Sequence, residues 1–591
     1  MKLLVYAALS LVGGAIPVAV GWLTKLTLDR LGTETPVSVL AALAGGLAAA
    51  GVVQSTLPHA VNYLRAEVGR AASLVAQDRL FASLGRFVGL GPFETPSFLD
   101  KVRLAREAGR TAPLMVLNGA LGSLQACVTI GGFLASLVAL APMMAVFVLI
   151  FAIPVLVAEI RLSRRRAAML WQVSPRERRE LFFDQLLTDV DAAKEVRLFG
   201  IGDYLRGRMR SEREAVNAAA HRLDRRLLSV QTSLGLVAAA VSGIGLLWAV
   251  HRAAAGYLTA GDIAIFLTAV AGVQSSVTQL ASETAQAHQA MTLLKHYAEI
   301  AVMAPDLPRP DQPRALPPLR GHIELRDVWF RYGEDRPWVL KGVNLTIPAG
   351  QSLGLVGLNG AGKSTLVKLI CRFYDPTRGS ILWDGTDIRD VEPEELRARL
   401  SAVFQDFMHY DLTARENIAL GDLRALQDDE RVIEAARKAG VHGVIDRLPL
   451  GYETLVSRSF FADSSDDKEG LPVSLSGGQM QRLALARMLL RDRGELLILD
   501  EPTSGLDAEA EYKLHHGLRD FRRGRTTLLI SHRLGSVREA DRIVVLSEGR
   551  IVESGGHVEL MASNGPYARL FTLQASGYTE QDQTPLEGAV Q

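Results

Sequence analysis

The sequence predicts two unlike architectures in tandem. The first is an all-α six-helix transmembrane domain with long cytoplasmic helical extensions, and the second is an α/β domain built around a phosphate-binding loop. Three observations predict them. Five charge-free stretches crowd residues 1–300, a short strand runs into a Gly-rich loop ending Gly362-Lys363-Ser364-Thr365, and a wholly apolar strand ends at Asp500-Glu501. At 591 residues the chain is too long for one core. Its averages hide the division: 65 Lys+Arg against 64 Asp+Glu, a net charge of +1, with 48% hydrophobic residues. Residues 1–300 carry 29 basic and 21 acidic residues (+8), whereas residues 301–591 carry 36 and 43 (−7). Neither half has the basic excess of a nucleic-acid binder, so no nucleic-acid partner is expected. Two cysteines, Cys127 and Cys371, cannot build a disulfide framework or a four-cysteine zinc site.

The charge-free windows are Leu3–Thr24, Thr35–Leu64, Thr111–Ala158, Leu227–Val250 and Ile263–Ser282. A helix of about 20 apolar residues crosses a bilayer core. The third window is long enough for two helices meeting near Ala141-Pro142. That gives six spans, at about 3–24, 35–64, 111–140, 142–158 and beyond, 227–250 and 263–282, within a transmembrane domain of residues 1–300. A single window of this kind also suits a buried core helix, but five within 300 residues do not. The first is too long for a signal-peptide core and shows no small-residue cleavage site before Lys25, so it reads as a membrane helix.

Loop charge sets the orientation. Arg65–Arg110 and Glu159–Arg226 hold 8 and 16 basic residues, and Lys2 and Lys295 lie on the same side. Only Lys25, Arg30 and Arg252 lie on the other. The positive-inside rule then places both termini, both long loops and the second domain in the cytoplasm of a multi-pass cytoplasmic (inner) membrane protein. Both long loops read as helical struts, broken near Gly91-Pro92 and Gly200. The outer loops are too short for an extracellular receptor domain. Polar residues punctuate the spans (Gln54, His59, Asn62, Asn118, Gln125, Gln231, Gln274, Thr278 and Gln279) and suit helix–helix contacts first and cavity lining second, but no Asp, Glu, Lys or Arg lies within them. This pattern predicts no fixed ionic site and favours amphipathic, lipid-like, drug-like or peptide cargo.

Six prolines in residues 305–318 make residues 301–320 a semi-rigid linker. Alternation from His322 to Val328 opens a new domain, residues 321–575, and the polar stretch 576–591 reads as a disordered tail. Gln351–Val356 leads into Gly357-Leu358-Asn359-Gly360-Ala361-Gly362-Lys363-Ser364-Thr365, which fits GxxxxGK[ST] between strand and helix. Its glycines let backbone N–H groups converge on phosphate, and the following helix adds its positive end. Lys363 is assigned to the β- and γ-phosphates and Ser364 to Mg²⁺. Leu496–Leu499 has the unbroken apolarity of a strand buried on both faces, and Asp500 and Glu501 stand at the end where parallel sheets bind ligands. Asp500 suits Mg²⁺, and Glu501 suits polarising an attacking water.

Leu475-Ser476-Gly477-Gly478-Gln479 resembles the signature of ABC-transporter ATPases, and it precedes Asp500 as that family requires. The resemblance runs over about Gly321–Gln574. It implies that Gln405 is the Q-loop glutamine at the metal, that Asp507 belongs to the D-loop in Ser504-Gly505-Leu506-Asp507, and that His532 is the switch histidine. It also implies that Tyr332 stacks on adenine. Six spans before one such domain, with Gly256–Asp262 before the sixth, resemble a half-size exporter of the multidrug-exporter type. The resemblance therefore implies an α/β P-loop ATPase domain of ABC type that uses ATP and Mg²⁺. It further implies a homodimer, or a heterodimer with a second half-transporter, in which Ser476, Gly477, Gly478 and Gln479 of one chain bind the ATP of the other. Turns near Pro96–Lys101 and Asp191–Arg197 are expected to couple the struts to ATPase domains.

The sequence departs from that family in two places. Val456–Ser474 is longer than the usual segment before the signature and acidic, with the usual glutamate not identifiable; it reads as a surface insertion or as a partner for strut arginines near Arg206, Arg208 and Arg210. No amphipathic helix or protease domain precedes the first span, so coupled leader-peptide cleavage is not expected. ATP-driven export of a small molecule, lipid-like compound or peptide by alternating access is the leading expectation. Uptake on the same fold and a membrane-anchored regulatory ATPase that does not pump are the alternatives.

Overall fold

The computed structural model describes residues 1–31, 35–457, 472–502, 521–531 and 533–579. They form two compact units, one of Met1–Arg86 and Pro96–Met303, the other of Phe87–Thr95 and the residues from Ala304 onward.

The first unit is helical: α1 (Lys2–Leu31), α2 (Val37–Leu84), α3 (Pro96–Leu140), α4 (Pro142–Thr188), α5 (Val190–Leu198), α6 (Gly202–Ala254) and α7 (Ala260–Val302). All but α5 contain a stretch long and apolar enough to cross a membrane. The 48 residues of α2 extend to about 70 Å, more than twice the roughly 30 Å of hydrocarbon, so much of it must lie outside the bilayer. Backbone chemistry sets the breaks. Pro142 cannot donate to a continuing helix, and it forces Ala141 into an extended conformation (φ −157°, ψ 104°), which separates α3 from α4. Gly200 takes a left-handed φ of 64° just after α5, where a side chain would be strained.

Small residues let α3 and α7 approach closely. A Cβ on Gly119 would stand 2.7 Å from that of Ala287, and one on Gly122 would stand 2.8 Å from Cγ and Cδ of Glu283. Phe133, Leu137, Met144 and Phe266 fill the core beside them. Polar ties add register: Trp22 Nε1 donates to Ser136 Oγ at 2.8 Å, and Tyr297 OH to the Ala76 carbonyl at 2.9 Å. At the start of α7, Thr259 and Asp262 form a capping box. Lys25 on α1 lies 2.7 Å from Asp29 and 2.6 Å from Asp262, pinning α1 to that cap. The three strut arginines are engaged within their own unit. Arg206 pairs with Asp203, Arg210 with Glu214, and Arg208 lies over the Phe183 ring. Their suggested partner, the acidic segment, lies outside the described residues from 458 to 471.

The second unit holds two main sheets. β1 (His322–Phe330), β2 (Leu340–Pro348), β4 (Arg378–Trp383) and β5 (Thr386–Asp387) pair antiparallel in the order β2-β1-β4-β5. The other sheet runs β12-β11-β3-β10-β9-β6, from β3 (Ser352–Val356), β6 (Leu400–Val403), β9 (Leu496–Asp500), β10 (Thr526–Ile530), β11 (Arg542–Ser547) and β12 (Arg550–Gly555). It is parallel except at β12. The continuous apolarity of β9 now has its reason: Leu497 and Leu499 enter one core while Leu496 and Ile498 enter the other. A short pair, β7 (Leu412–Thr413) and β8 (Leu455–Val456), flanks the helices that precede the signature.

The proline-rich segment is strapped to this unit. Trp383 Nε1 donates to the Pro317 carbonyl, Arg372 to that of Pro308, and Arg309 pairs with Glu392 and Glu394. Phe87–Thr95, lying between α2 and α3, belongs to the same unit. Val88 and Gly89 donate their N–H groups to Asp306, and Leu90 donates to the Phe373 carbonyl. Glu94 accepts from Lys368 Nζ at 2.6 Å and from Tyr374 OH at 2.7 Å. The first strut turn that meets the second unit thus ends where Pro96–Lys101 begins, because Pro96 already opens α3. Asp191–Arg197 lies within α5 of the first unit.

Candidate nucleotide site

Strand order gathers the candidate residues at one edge. β3, β10, β9 and β6 are parallel neighbours, so the loops after Val356, Ile530, Asp500 and Val403 emerge side by side. The first is the phosphate loop, which leads into α8 (Lys363–Ile370). Gly362 caps α8 at φ 107°, a conformation that a side chain rarely adopts. A Cβ on Gly357 would collide with the Leu546 carbonyl, so the loop needs glycine there for close approach. Lys363 is 7% exposed, and its Nζ donates to the carbonyls of Gly357 and Leu358 at 2.7 and 3.1 Å. Burial lowers its pKa, against the opposing charges of Glu501 and Asp500. Asn359, Gly360 and Ser364 are open to solvent, while Ala361 and Thr365 are buried.

Asp500 ends β9 at 7% exposure. Burial, with the nearby charges of Glu501 and Asp406, raises its pKa to about 6. Glu501 follows in a left-handed conformation (φ 50°), uncommon for a residue with a side chain and often found at functional sites. Its N–H donates to the Ile530 carbonyl at 2.9 Å, locking the turn to β10. Gln405, after β6, donates from Nε2 to Glu501 Oε2 at 2.9 Å. Two residues from different strands therefore meet at one carboxylate.

Among the described residues no group of three His, Cys, Asp or Glu is arranged to hold a metal ion unaided. The donor set still suits Mg²⁺, which takes one or two carboxylates and hydroxyls together with phosphate oxygens. A buried Asp500 raised toward neutrality by its acidic neighbours is the carboxylate a divalent cation would relieve.

Residues 340–504 match the family model of ABC transporters. That match falls within the second unit. Curated relatives include the ATP-dependent lipid A-core flippase of Chromohalobacter salexigens, 39% identical over 348 residues, 58% of this chain and 57% of that protein. The leukotoxin translocation ATP-binding protein LktB of Mannheimia haemolytica is 44% identical over 261 residues, 44% of this chain and 35% of that one. These matches span less than two thirds of the relatives' length. A solved structure, a bacterial Atm1-family ABC exporter with ATP bound, is similar over 97% of this chain and 98% of its own, with a TM-score of 0.81 and 26% identity. Among the described residues, six membrane-length helices precede the α/β unit that holds the family match, in the fold of that exporter.

In the second unit, Tyr332 is 42% exposed, and its OH lies 3.0 Å from Thr365 Oγ1. Its ring meets those of Phe330 and Tyr374 edge-on. Ser476 caps the helix Gly477–Leu489 by a reciprocal pair of hydrogen bonds with Gln479. Among the described residues no hydrogen bond joins Ser476–Gln479 to the phosphate loop of the same chain. Asp507 and His532 lie outside the described residues. Sequence reading missed Gln481, 3% exposed, whose Nε2 donates to the Glu501 carbonyl at 3.2 Å. Its one signal is a polar residue on the buried face of that helix. Asp406, beside Gln405, and the Glu94–Lys368–Tyr374 group were missed as well.

Proposed function

We propose that this chain is a half-size ABC exporter that couples ATP hydrolysis to outward movement of cargo across the cytoplasmic membrane. The supporting observation is the likeness to an Atm1-family ABC exporter over both units at once, which a soluble or partial ATPase would lack. Lys363 and the amides of Gly357–Thr365 hold the phosphates, and Tyr332 holds the adenine. Ser364, Gln405 and Asp500 would hold Mg²⁺, which when bound offsets charge on the transferred phosphoryl group. Glu501 orients and polarises the attacking water. Its carboxylate is held by Gln405 and its backbone by Ile530 and Gln481, so the base is positioned before substrate arrives. His532 and Asp507 carry the switch and D-loop roles.

Two chains act together, each offering Ser476, Gly477, Gly478 and Gln479 to the nucleotide of the other, and a homodimer supplies two complete sites. The excess of basic residues in the long loops supports a cytoplasmic ATPase domain and cytoplasmic termini. The lipid A-core flippase and leukotoxin relatives favour amphipathic or peptide cargo.

Reconstituted protein tests both chemistry and direction. Glu501→Gln is expected to bind ATP and close the dimer while hydrolysis is largely lost; near-normal turnover would remove Glu501 from its role. ATP-dependent accumulation of cargo inside inverted vesicles supports export, and depletion would favour uptake. Hydrolysis without flux of any lipid, drug or peptide tested would favour a regulatory ATPase.

A further inference from the structure

The first unit contains a cavity of about 420 Å³ lined by α1, α2, α3 and α7. Its walls gather side-chain amides from three separate helices, Gln54 and Asn62, Gln125, and Gln279. Asn118, 7% exposed, also lines it; its Oδ1 accepts from Tyr6 OH at 3.1 Å, and no protein partner among the described residues takes its amide hydrogens. Sequence reading predicted no ionic site in the spans. Arg65 and Glu283 each lie one residue beyond a charge-free window, outside the spans as read from the sequence, and both line the cavity.

These two charges are not joined. No ion pair or hydrogen bond links them, and Arg65 has no carboxylate within 4.0 Å among the described residues. Glu283 Oε2 is buried without a hydrogen-bond donor. Gly122 makes room for that carboxylate, since a Cβ there would stand 2.8 Å from Glu283 Cγ and Cδ. A buried, unpaired carboxylate oxygen is costly, and a guanidinium facing the same cavity lowers that cost without supplying the missing hydrogen bond. The lining of the cavity therefore has a defined chemistry. It wants an N–H donor with positive charge at Glu283 and an acidic oxygen at Arg65, with amides between them.

We propose that this cavity binds a zwitterion carrying a primary ammonium group and an acidic group in one molecule. The ammonium donates to Glu283, the phosphate or carboxylate accepts from Arg65, and the amides of Asn118, Gln125 and Gln279 contact the connecting segment. A lipid head group and a free small solute both present this chemistry. Binding here does not depend on whether the occupant is transported.

Native mass spectrometry of the full-length protein in detergent, titrated with phosphatidylethanolamine, phosphatidylcholine and phosphatidylglycerol, tests the site. Phosphatidylethanolamine should be retained about tenfold more tightly than the other two, roughly 1.4 kcal/mol. Phosphatidylcholine lacks the N–H for Glu283, and phosphatidylglycerol lacks the cation. Glu283→Gln, Arg65→Gln and Gly122→Ala should each abolish that preference. Gly122→Ala keeps both charges and only displaces the carboxylate, so it separates loss of the site from loss of charge. Retention of size-exclusion profile and ATP binding, which reside elsewhere, identifies variants that still fold. Equal retention of the three lipids by the unaltered protein would overturn the proposal, as would an undiminished preference in the folded variants. Displacement of bound phosphatidylethanolamine by soluble O-phosphoethanolamine would assign recognition to the head group alone and admit a free solute. Failure to displace it would assign the site to lipid.

Discussion

At the residue scale, Asp500 is the buried carboxylate of the candidate nucleotide site, with a raised pKa. Its folded pKa of about 6 stands above the ordinary aspartate value, so the native protein holds a proton there that the unfolded chain has lost. Ionisation therefore costs stability above about pH 6, at most on the order of 3 kcal/mol, and the cost is relieved as pH falls through 6 toward the ordinary range. Cation binding has the opposite sign, because Mg²⁺ needs the ionised carboxylate. Thermal melting should thus show stabilisation by Mg²⁺-nucleotide at about pH 7.5 that shrinks markedly near pH 5.5. Asp500→Asn should melt higher than the parent without ligand at the upper pH and gain little from Mg²⁺-nucleotide. Equal ligand-induced shifts at both pH values would remove Asp500 from the metal. The candidate residues legible in the sequence share one property: the roles proposed for Lys363, Asp500 and Glu501 are chemistry that a short motif carries. Gln481 and Asp406 do not, since their importance comes from what folding sets beside them. The same holds for Arg65 and Glu283, each of which looks in sequence like the ordinary charged end of a span.

At the element scale, charge-free windows and proline located the long helices, and Ala141-Pro142 divides α3 from α4 for a local steric reason. The exact strut turn was not legible, because Glu94 finds Lys368 and Tyr374 across 274 and 280 residues of sequence. Nor was the latch between α1 and α7. Lys25 reads in sequence as an outer-loop charge, yet its side chain is only 11% exposed between Asp29 and Asp262. Removing one partner of a buried ionic group leaves the others uncompensated, commonly at a cost of about 3–5 kcal/mol. Asp29 is 22% exposed, which places this case at the lower end. Lys25→Met should clearly lower the melting temperature in detergent. Adding Asp29→Asn and Asp262→Asn should recover much of the loss, because the neutral triple variant buries no unpaired charge. A single variant as stable as the parent would show the latch to be solvated and energetically idle.

At the scale of the whole molecule, the reading as a dimeric exporter implies that neither chain owns a complete nucleotide site. Among the described residues, Ser476 and Gln479 cap the helix Gly477–Leu489, and no hydrogen bond ties Ser476–Gln479 to the phosphate loop of the same chain. Mixing two inactive chains distinguishes a shared site from a self-sufficient one. Lys363→Ala disables the phosphate loop, and Ser476→Arg disables the signature, so each homodimer has two broken sites if ATP lies between chains. A mixed dimer then concentrates both lesions in one site and leaves the other with an intact loop from one chain and an intact signature from its partner. Co-expressed and purified through two different tags, that mixture should hydrolyse ATP well above either parent. If each chain completed its own site, every chain in the mixture would still carry one lesion and no activity would return. Recovery would therefore place the catalytic unit in the pair of chains, and its absence would return it to the single chain.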